Sequence, residues 1–239
     1  MTGRLQDRFA VITGASRGIG RAVALGMAAE GAHVILVAKT VGGLEEVDDE
    51  IRKVGGKATL VPMDLTDFAA IDRLGATIFE RWGKLDILIA NAGMLGTLTP
   101  MSHMEPKDWD KTVAVNVTAN YRLIRSLEPL LKRSDAGRAV FVTSGAAEKC
   151  KPYWGGYSVT KAALNAMMKT WAAETEKSPI RVNAVSPGPT RTAMRKKAMP
   201  GEDPTTLTKP ADLVPLFIEL AMPSCERHGE IVEYAKVKA

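Results

Sequence analysis

Seven short apolar runs rich in β-branched residues, at 10–13, 34–37, 59–61, 87–90, 139–142, 182–185 and 231–232, read through without polar alternation. Strands of that kind are covered on both faces, the condition of a parallel sheet. Most of the segments between them carry the helical period instead. In the first, Ile19, Ala22, Val23 and Met27 fall three or four apart and share one stripe. Parallel neighbours need crossovers, and right-handed crossovers lay helices on both faces of the sheet. The pattern therefore predicts one doubly wound α/β domain of about seven strands over residues 1–239. One stretch departs from the rhythm. Residues 189–210 hold Pro189, Pro200, Pro204 and Pro210 around a polar Gly-Glu-Asp, which predicts a long loop or short-helix lid over a site.

Composition narrows the class without naming a function. With 239 residues, 46% of them hydrophobic and 25% charged, the chain is a globular protein rather than a disordered or fibrous one. No apolar run approaches the ~20 residues that span a bilayer. Arg4, Asp7 and Arg8 stand where a signal peptide needs an apolar stretch, so a cytoplasmic protein with no membrane contact is expected. Cys150 and Cys225 form no Cys-x-x-Cys pair, and His33, His103 and His228 are scattered, which predicts reduced thiols and no metal site. The net charge of +5 suits an anionic small molecule as readily as a polyanion and is no argument for nucleic acid.

Chemistry enters directly after the first strand, where Thr13-Gly14-Ala15-Ser16-Arg17-Gly18-Ile19-Gly20 leads into the first helix. The glycines allow a tight turn and close approach to a pyrophosphate, and the free amides and dipole at the helix start favour its charge. Farther on come Asn91-Ala92-Gly93 after the fourth strand, Asn116 in a long helix, and Ser144 after the fifth strand. Tyr157 and Lys161 follow at i and i+4 on one helix, then Pro187-Gly188 with Thr190 and Thr192 after the sixth strand. Together these motifs resemble the short-chain dehydrogenase/reductase family across essentially the whole chain, and the stretches 132–137, 187–195 and 210–213 resemble, within it, the YciK-like bacterial oxidoreductases. The resemblance implies a Rossmann-type fold.

Tyrosine ionises near ~10, so a phenol that trades protons at neutral pH needs help, and a lysine one turn away on the same face favours the phenolate. By resemblance Tyr157 is the general acid/base, Ser144 positions the substrate oxygen, Lys161 lowers the tyrosine and bonds the nicotinamide ribose, and Asn116 supports a proton-relay water. The resemblance also puts Gly14, Ser16, Arg17, Gly18, Ile19, Gly20, Asp64, Leu65, Asn91, Ala92, Gly93, Pro187, Gly188, Thr190 and Thr192 around the cofactor. Asp64 doubles as a candidate N-cap for the following helix. The second strand ends Val37-Ala38-Lys39-Thr40, with alanine where an acid would hold a ribose 2′-hydroxyl, and with Lys39 and Arg17 available for a 2′-phosphate. NADP(H) is therefore expected over NAD(H).

Met94, Leu95, Ala146, Trp154 and Met194 are expected to line an apolar substrate pocket, with Tyr153 beside it or at a subunit contact. The basic residues Arg191, Arg195, Lys196 and Lys197 fall in the lid. The leading expectation is a small-molecule carbonyl reductase or alcohol dehydrogenase. The alternatives are a 3-oxoacyl carrier-protein reductase and a non-catalytic dinucleotide sensor. A homodimer or homotetramer is expected through the helices at 108–131 and 156–176, where Met167, Met168 and Trp171 give the second helix more apolar faces than one sheet covers.

Overall fold

The computed structural model describes residues 3–234. Its strands are β1 (Phe9–Thr13), β2 (His33–Ala38), β3 (Lys57–Pro62), β4 (Ile87–Ala90), β5 (Arg138–Val142), β6 (Arg181–Ser186) and β7 (Ile231–Glu233). They form one sheet in the order β3-β2-β1-β4-β5-β6-β7, parallel throughout. Each apolar run of the sequence lies inside one of these strands.

The unbroken apolar runs have a simple cause. Neighbouring residues of a strand point to opposite faces, and both faces are covered: Ile12 packs into one core and Val11 into the other. On the Ile12 side lie α1 (Gly18–Ala29), α2 (Val41–Lys53) and α9 (Val214–Ala221). On the Val11 side lie α3 (Phe68–Trp82), α5 (Ala119–Leu131) and α7 (Gly155–Thr175). In α2, Leu44, Val47 and Ile51 supply the buried stripe at helical spacing, while its other face is acidic and basic. The sheet's β3 edge ends in Pro62 and exposes Lys57, both of which discourage another strand from pairing there.

The helix expected around Asn116 is composite. It runs as α4 (Pro106–Val113), a π turn over Ala114–Thr118, then α5. Two short helices complete the set, α6 (Ala146–Lys149) and α8 (Ala193–Ala198). The stretch at 189–210 holds α8 and a 3₁₀ turn at Pro204–Thr206, and it is tied back on itself by a Thr190–Thr208 bridge and an Arg195–Glu202 ion pair at 2.5 Å.

One expectation is corrected here. Met168 and Trp171 do not spare an apolar face for a second subunit; both are buried within the chain. Trp171 meets Phe141 of β5 edge-on at 6.0 Å and donates its Nε1 hydrogen to Glu128 of α5 at 2.8 Å, because α7 and α5 cover the same face of the sheet. Met167 is half-buried.

Chain order reverses between β1 and β4, which are neighbours whose next strands run off to opposite sides. Loops leaving the carboxyl ends of such a pair must part, and a crevice opens between them.

Candidate active site

The loop leaving β1 is the glycine turn. Gly14 and Gly18 have φ of 66° and 58°, in the left-handed region that favours glycine. Gly20 has another reason to lack a side chain: a Cβ there would stand 2.3 Å from the Gly14 carbonyl oxygen and 2.5 Å from Asn91 Nδ2. Its absence lets α1 sit down on the turn. That helix starts with no capping side chain and no acid in its first turn, and Gly18 and Ile19 lie on the crevice wall. Its free amides and positive end are thus offered to an anion.

The loop leaving β4 is clamped to the turn. Asn91 Nδ2 donates to the carbonyls of Thr13 at 2.8 Å and Gly14 at 3.3 Å, and Thr13 Oγ1 accepts from the amides of Asn91 and Ala92, both at 3.0 Å. Sequence reading missed Thr13; its one signal was a hydroxyl closing an otherwise apolar strand. At the end of β2, Ala38, Lys39 and Thr40 line the same crevice with Arg17. Lys39 Nζ lies 2.7 Å from Asp64 Oδ2, and this partner, with the Thr66 amide, holds the Asp64 carboxyl down at about 2. Asp64 is not the N-cap of α3. That role belongs to Asp67, which accepts from the Ala70 amide at 2.9 Å.

The crevice encloses about 790 Å³ and continues from the glycine turn to the ends of β5 and β6. Of the residues that the sequence nominated for catalysis or cofactor binding, all but Gly20 and Asn116 are on its wall. Pro187, Gly188, Thr190 and Thr192 close it from the β6 side, Leu65 and Gly93 from the other. Met94, Leu95, Trp154 and Met194 line it as expected; Ala146 does not, and Tyr153 is 61% exposed outside it.

At the far end Tyr157 and Ser144 share the wall. Tyr157 is buried, with Trp154 meeting its ring at 6.1 Å. Burial pushes its phenol up to about 12, and the neighbouring Ser144 hydroxyl opposes this only in part. The expected lowering by Lys161 is absent here. Lys161 Nζ stands 5.7 Å over the tyrosine ring and donates to the Val142 carbonyl at 2.7 Å, and burial brings it down to about 8. Desolvation therefore outweighs charge proximity for both groups.

Asn116 sits behind the wall, fully buried in the π turn. Its Oδ1 accepts from the Met94 amide at 2.8 Å, and its two amide hydrogens go to the Met94 carbonyl at 2.9 Å and to Thr160 Oγ1 at 3.0 Å. Thr160 donates in turn to the Tyr157 carbonyl at 2.9 Å. The side chain is spent on binding the β4 loop to α7. Only its backbone carbonyl, which accepts from Asn120 at 2.8 Å, faces a further partner. Thr97, Asp108 and Lys111 are among the wall residues that the sequence did not nominate; Thr97 Oγ1 donates to Asp108 at 2.6 Å.

A family model for short chain dehydrogenase matches residues 8–203. The chain belongs to the short-chain dehydrogenase family. These proteins are oxidoreductases, and the parallel seven-stranded fold is the one their solved structures share. The chain is 39% identical over 219 residues to the oxidoreductase YciK of Escherichia coli K12, covering 90% of this chain and 86% of that protein. A short-chain dehydrogenase from Shigella flexneri 2a, crystallised with NADP, superposes with a TM-score of 0.93 at 37% identity, covering 98% of this chain and 99% of the other. One from Escherichia coli CFT073, crystallised with NADPH, gives 0.91 at 37% identity, covering 98% of each. Among the described residues no helix is long and apolar enough to cross a membrane, and no group of three or more metal-capable side chains comes together.

Proposed function

We propose that this short-chain dehydrogenase is an NADPH-dependent carbonyl reductase, reversible as an alcohol dehydrogenase, acting on a small molecule. The observation that carries the reading is the placing of Ser144, Tyr157 and buried Lys161 together on the wall of a crevice that runs back to the glycine turn. The residues present fit a dinucleotide: glycine carbonyl and amide groups with no side chains in the way, an uncapped helix start, and Arg17 at the end where the adenosine half would lie. Gly14, Ser16, Gly18 and Ile19 would hold the pyrophosphate side, Asp64, Leu65, Asn91, Ala92 and Gly93 the adenosine side, and Lys161, Pro187, Gly188, Thr190 and Thr192 the nicotinamide side.

Preference for NADPH over NADH rests on Ala38, which leaves no carboxylate to repel a 2′-phosphate, and on Arg17, which has no acidic partner among the described residues. Lys39 would have to exchange Asp64 for the phosphate. The Shigella and Escherichia coli relatives crystallised with NADP and NADPH support the same preference.

When bound, the cofactor supplies the hydride. The chain's own residues handle the proton. A carbonyl oxygen at the site accepts hydrogen bonds from the Ser144 and Tyr157 hydroxyls, which polarises the carbonyl and fixes its face. A phenol held at about 12 is protonated at neutral pH and is ready to give its proton to the forming alkoxide. Lys161, charged below about 8, then stabilises the phenolate left behind. Asn116 acts from behind by fixing Met94 and, through Thr160, Tyr157. The 189–210 stretch serves as the lid, its α8 carrying Met194, Arg195 and Lys197 on the crevice wall.

The test is a panel of ketones, aldehydes and alcohols followed by NADPH absorbance; reduction of none of them overturns the reading. A cytoplasmic homo-oligomer belongs to the same proposal. Tyr121 of α5 and Val159 of α7 are 48% and 45% exposed, and they replace buried Met168 and Trp171 as the apolar contacts a second copy would cover. Light scattering at micromolar concentration that returns a monomer refutes that part.

A further inference from the structure

The charged side chains of the crevice fall into two sets. At the cofactor end and the reaction centre Lys39 is paired with Asp64, and Lys161 is buried against the Val142 carbonyl. The same wall carries Asp108 and Lys111 from α4 and Arg195 and Lys197 from α8. The Asp108 carboxylate accepts from Thr97, and Arg195 is engaged by Glu202 through both its Nε and terminal nitrogen at 2.5 Å. Lys111 and Lys197 have no acidic partner among the described residues, although each is on the wall. The two come from separate elements. One is set by α4, which packs so closely on the β4 loop that a Cβ at Gly96 would stand 2.6 Å from Thr112 Oγ1, and the other by the stretch tied off by the Thr190–Thr208 bridge.

We infer that the crevice takes a carbonyl compound bearing an anionic group, such as a carboxylate, with Lys111 and Lys197 holding the anion while Ser144 and Tyr157 hold the carbonyl. This rests on the carbonyl-reductase reading and names its substrate class. Two unpaired ammonium groups on the wall of one cleft raise the local concentration of anions. With Arg195 offset by Glu202, the local balance is two lysines against Asp108, a net +1. Asp108, one helical turn from Lys111, opposes the anion and sets a sign that a purely structural role would not produce.

The experiment compares linear oxo-carboxylates of increasing chain length, each against its methyl ester, with NADPH. The readout is the ratio of kcat/KM for acid over ester, in which general damage cancels. At the best length the ratio is expected to be about 10 or more and to shrink at high salt, as a partly exposed charge contact should. Lys111→Met and Lys197→Met are each expected to lower it by roughly 3–5-fold, and Asp108→Asn to raise it about 2-fold. A ratio at or below one at every length, or one that neither lysine substitution moves, overturns the inference and leaves the reductase standing. If nothing is reduced, calorimetric titration of the same carboxylates into the NADPH complex separates the two. Salt-sensitive binding that needs Lys111 and Lys197 supports the anion site and sinks the reductase, whereas no binding sinks both.

Discussion

The two ends of the crevice are built by different means. The cofactor end is made of backbone: a turn whose shape depends on missing side chains, a helix start, and loops pinned by Thr13 and Asn91. The outer end is made of side chains from α4, α7 and α8, brought together by packing alone. A backbone cradle tolerates little change at Gly14 and Gly20, where a Cβ would stand 3.0 Å from the Ala92 Cα and 2.3 Å from the Gly14 carbonyl oxygen, main chain that cannot easily move aside. A side-chain wall can change its charge and shape without disturbing the fold. The contrast explains how one family can keep a cofactor and vary its substrates.

The sharpest cut between the two ends is Tyr157→Phe. It removes the proton donor and leaves the cradle, so turnover should fall by about 100-fold or more, roughly 2.7 kcal/mol, with NADPH affinity kept within a few-fold. Near-normal turnover on any carbonyl that the wild type reduces ends the assignment. Gly20→Ala probes the other end. Its Cβ would meet the Gly14 carbonyl oxygen at 2.3 Å, and the strain of overpacking should weaken NADPH about 10–100-fold and cost about 1–3 kcal/mol of stability. Unchanged affinity and Tm would show that α1 can slide off the turn.

Replacing both Arg17 and Lys39 by alanine is expected to weaken NADPH by roughly 5–30-fold and NADH hardly at all, with Arg17 carrying more because Lys39 must first leave Asp64. Paired fluorescence titrations at low and high salt check this, and a wild type that binds both dinucleotides equally removes the basis for the clamp. The smallest effect is in pH. Lys161 is charged below about 8 and loses its charge as pH rises through that value, so the reduction rate should be level near neutrality and decline a few-fold above about pH 8. A decline on the acid side instead would contradict the assigned role of the lysine. Tyr157, held near about 12, should add no inflection in the accessible range.

Much of the fold and the inner site was legible before any coordinates because both are written locally. A strand buried on both faces has to be apolar at every position, and each predicted run lies within a strand. A turn that meets a phosphate has to be glycine-rich, and an adjacent tyrosine and lysine on one helix announce themselves by a spacing of four. What failed needed distances between elements remote in sequence. Met168 and Trp171 look like spare apolar surface until α5 is seen to cover them. Asp64 looks like a cap until Asp67 takes the place. That both amide hydrogens of Asn116 go to Met94 and Thr160 could likewise be seen only in the fold.

The sequence by itself therefore determined the layered α/β architecture and the glycine turn, and it nominated Ser144, Tyr157 and Lys161, which the fold brings to one wall, since periodicity and short motifs are properties of neighbours along the chain. Tertiary structure alone decided which charges are neutralised and which stay free, that Lys39 answers to Asp64, and that Lys111 and Lys197 reach one cleft. It decided as well that burial sets the proton affinities of Tyr157 and Lys161. Desolvation and pairing depend on what folds over a group, and no spacing along the chain encodes that.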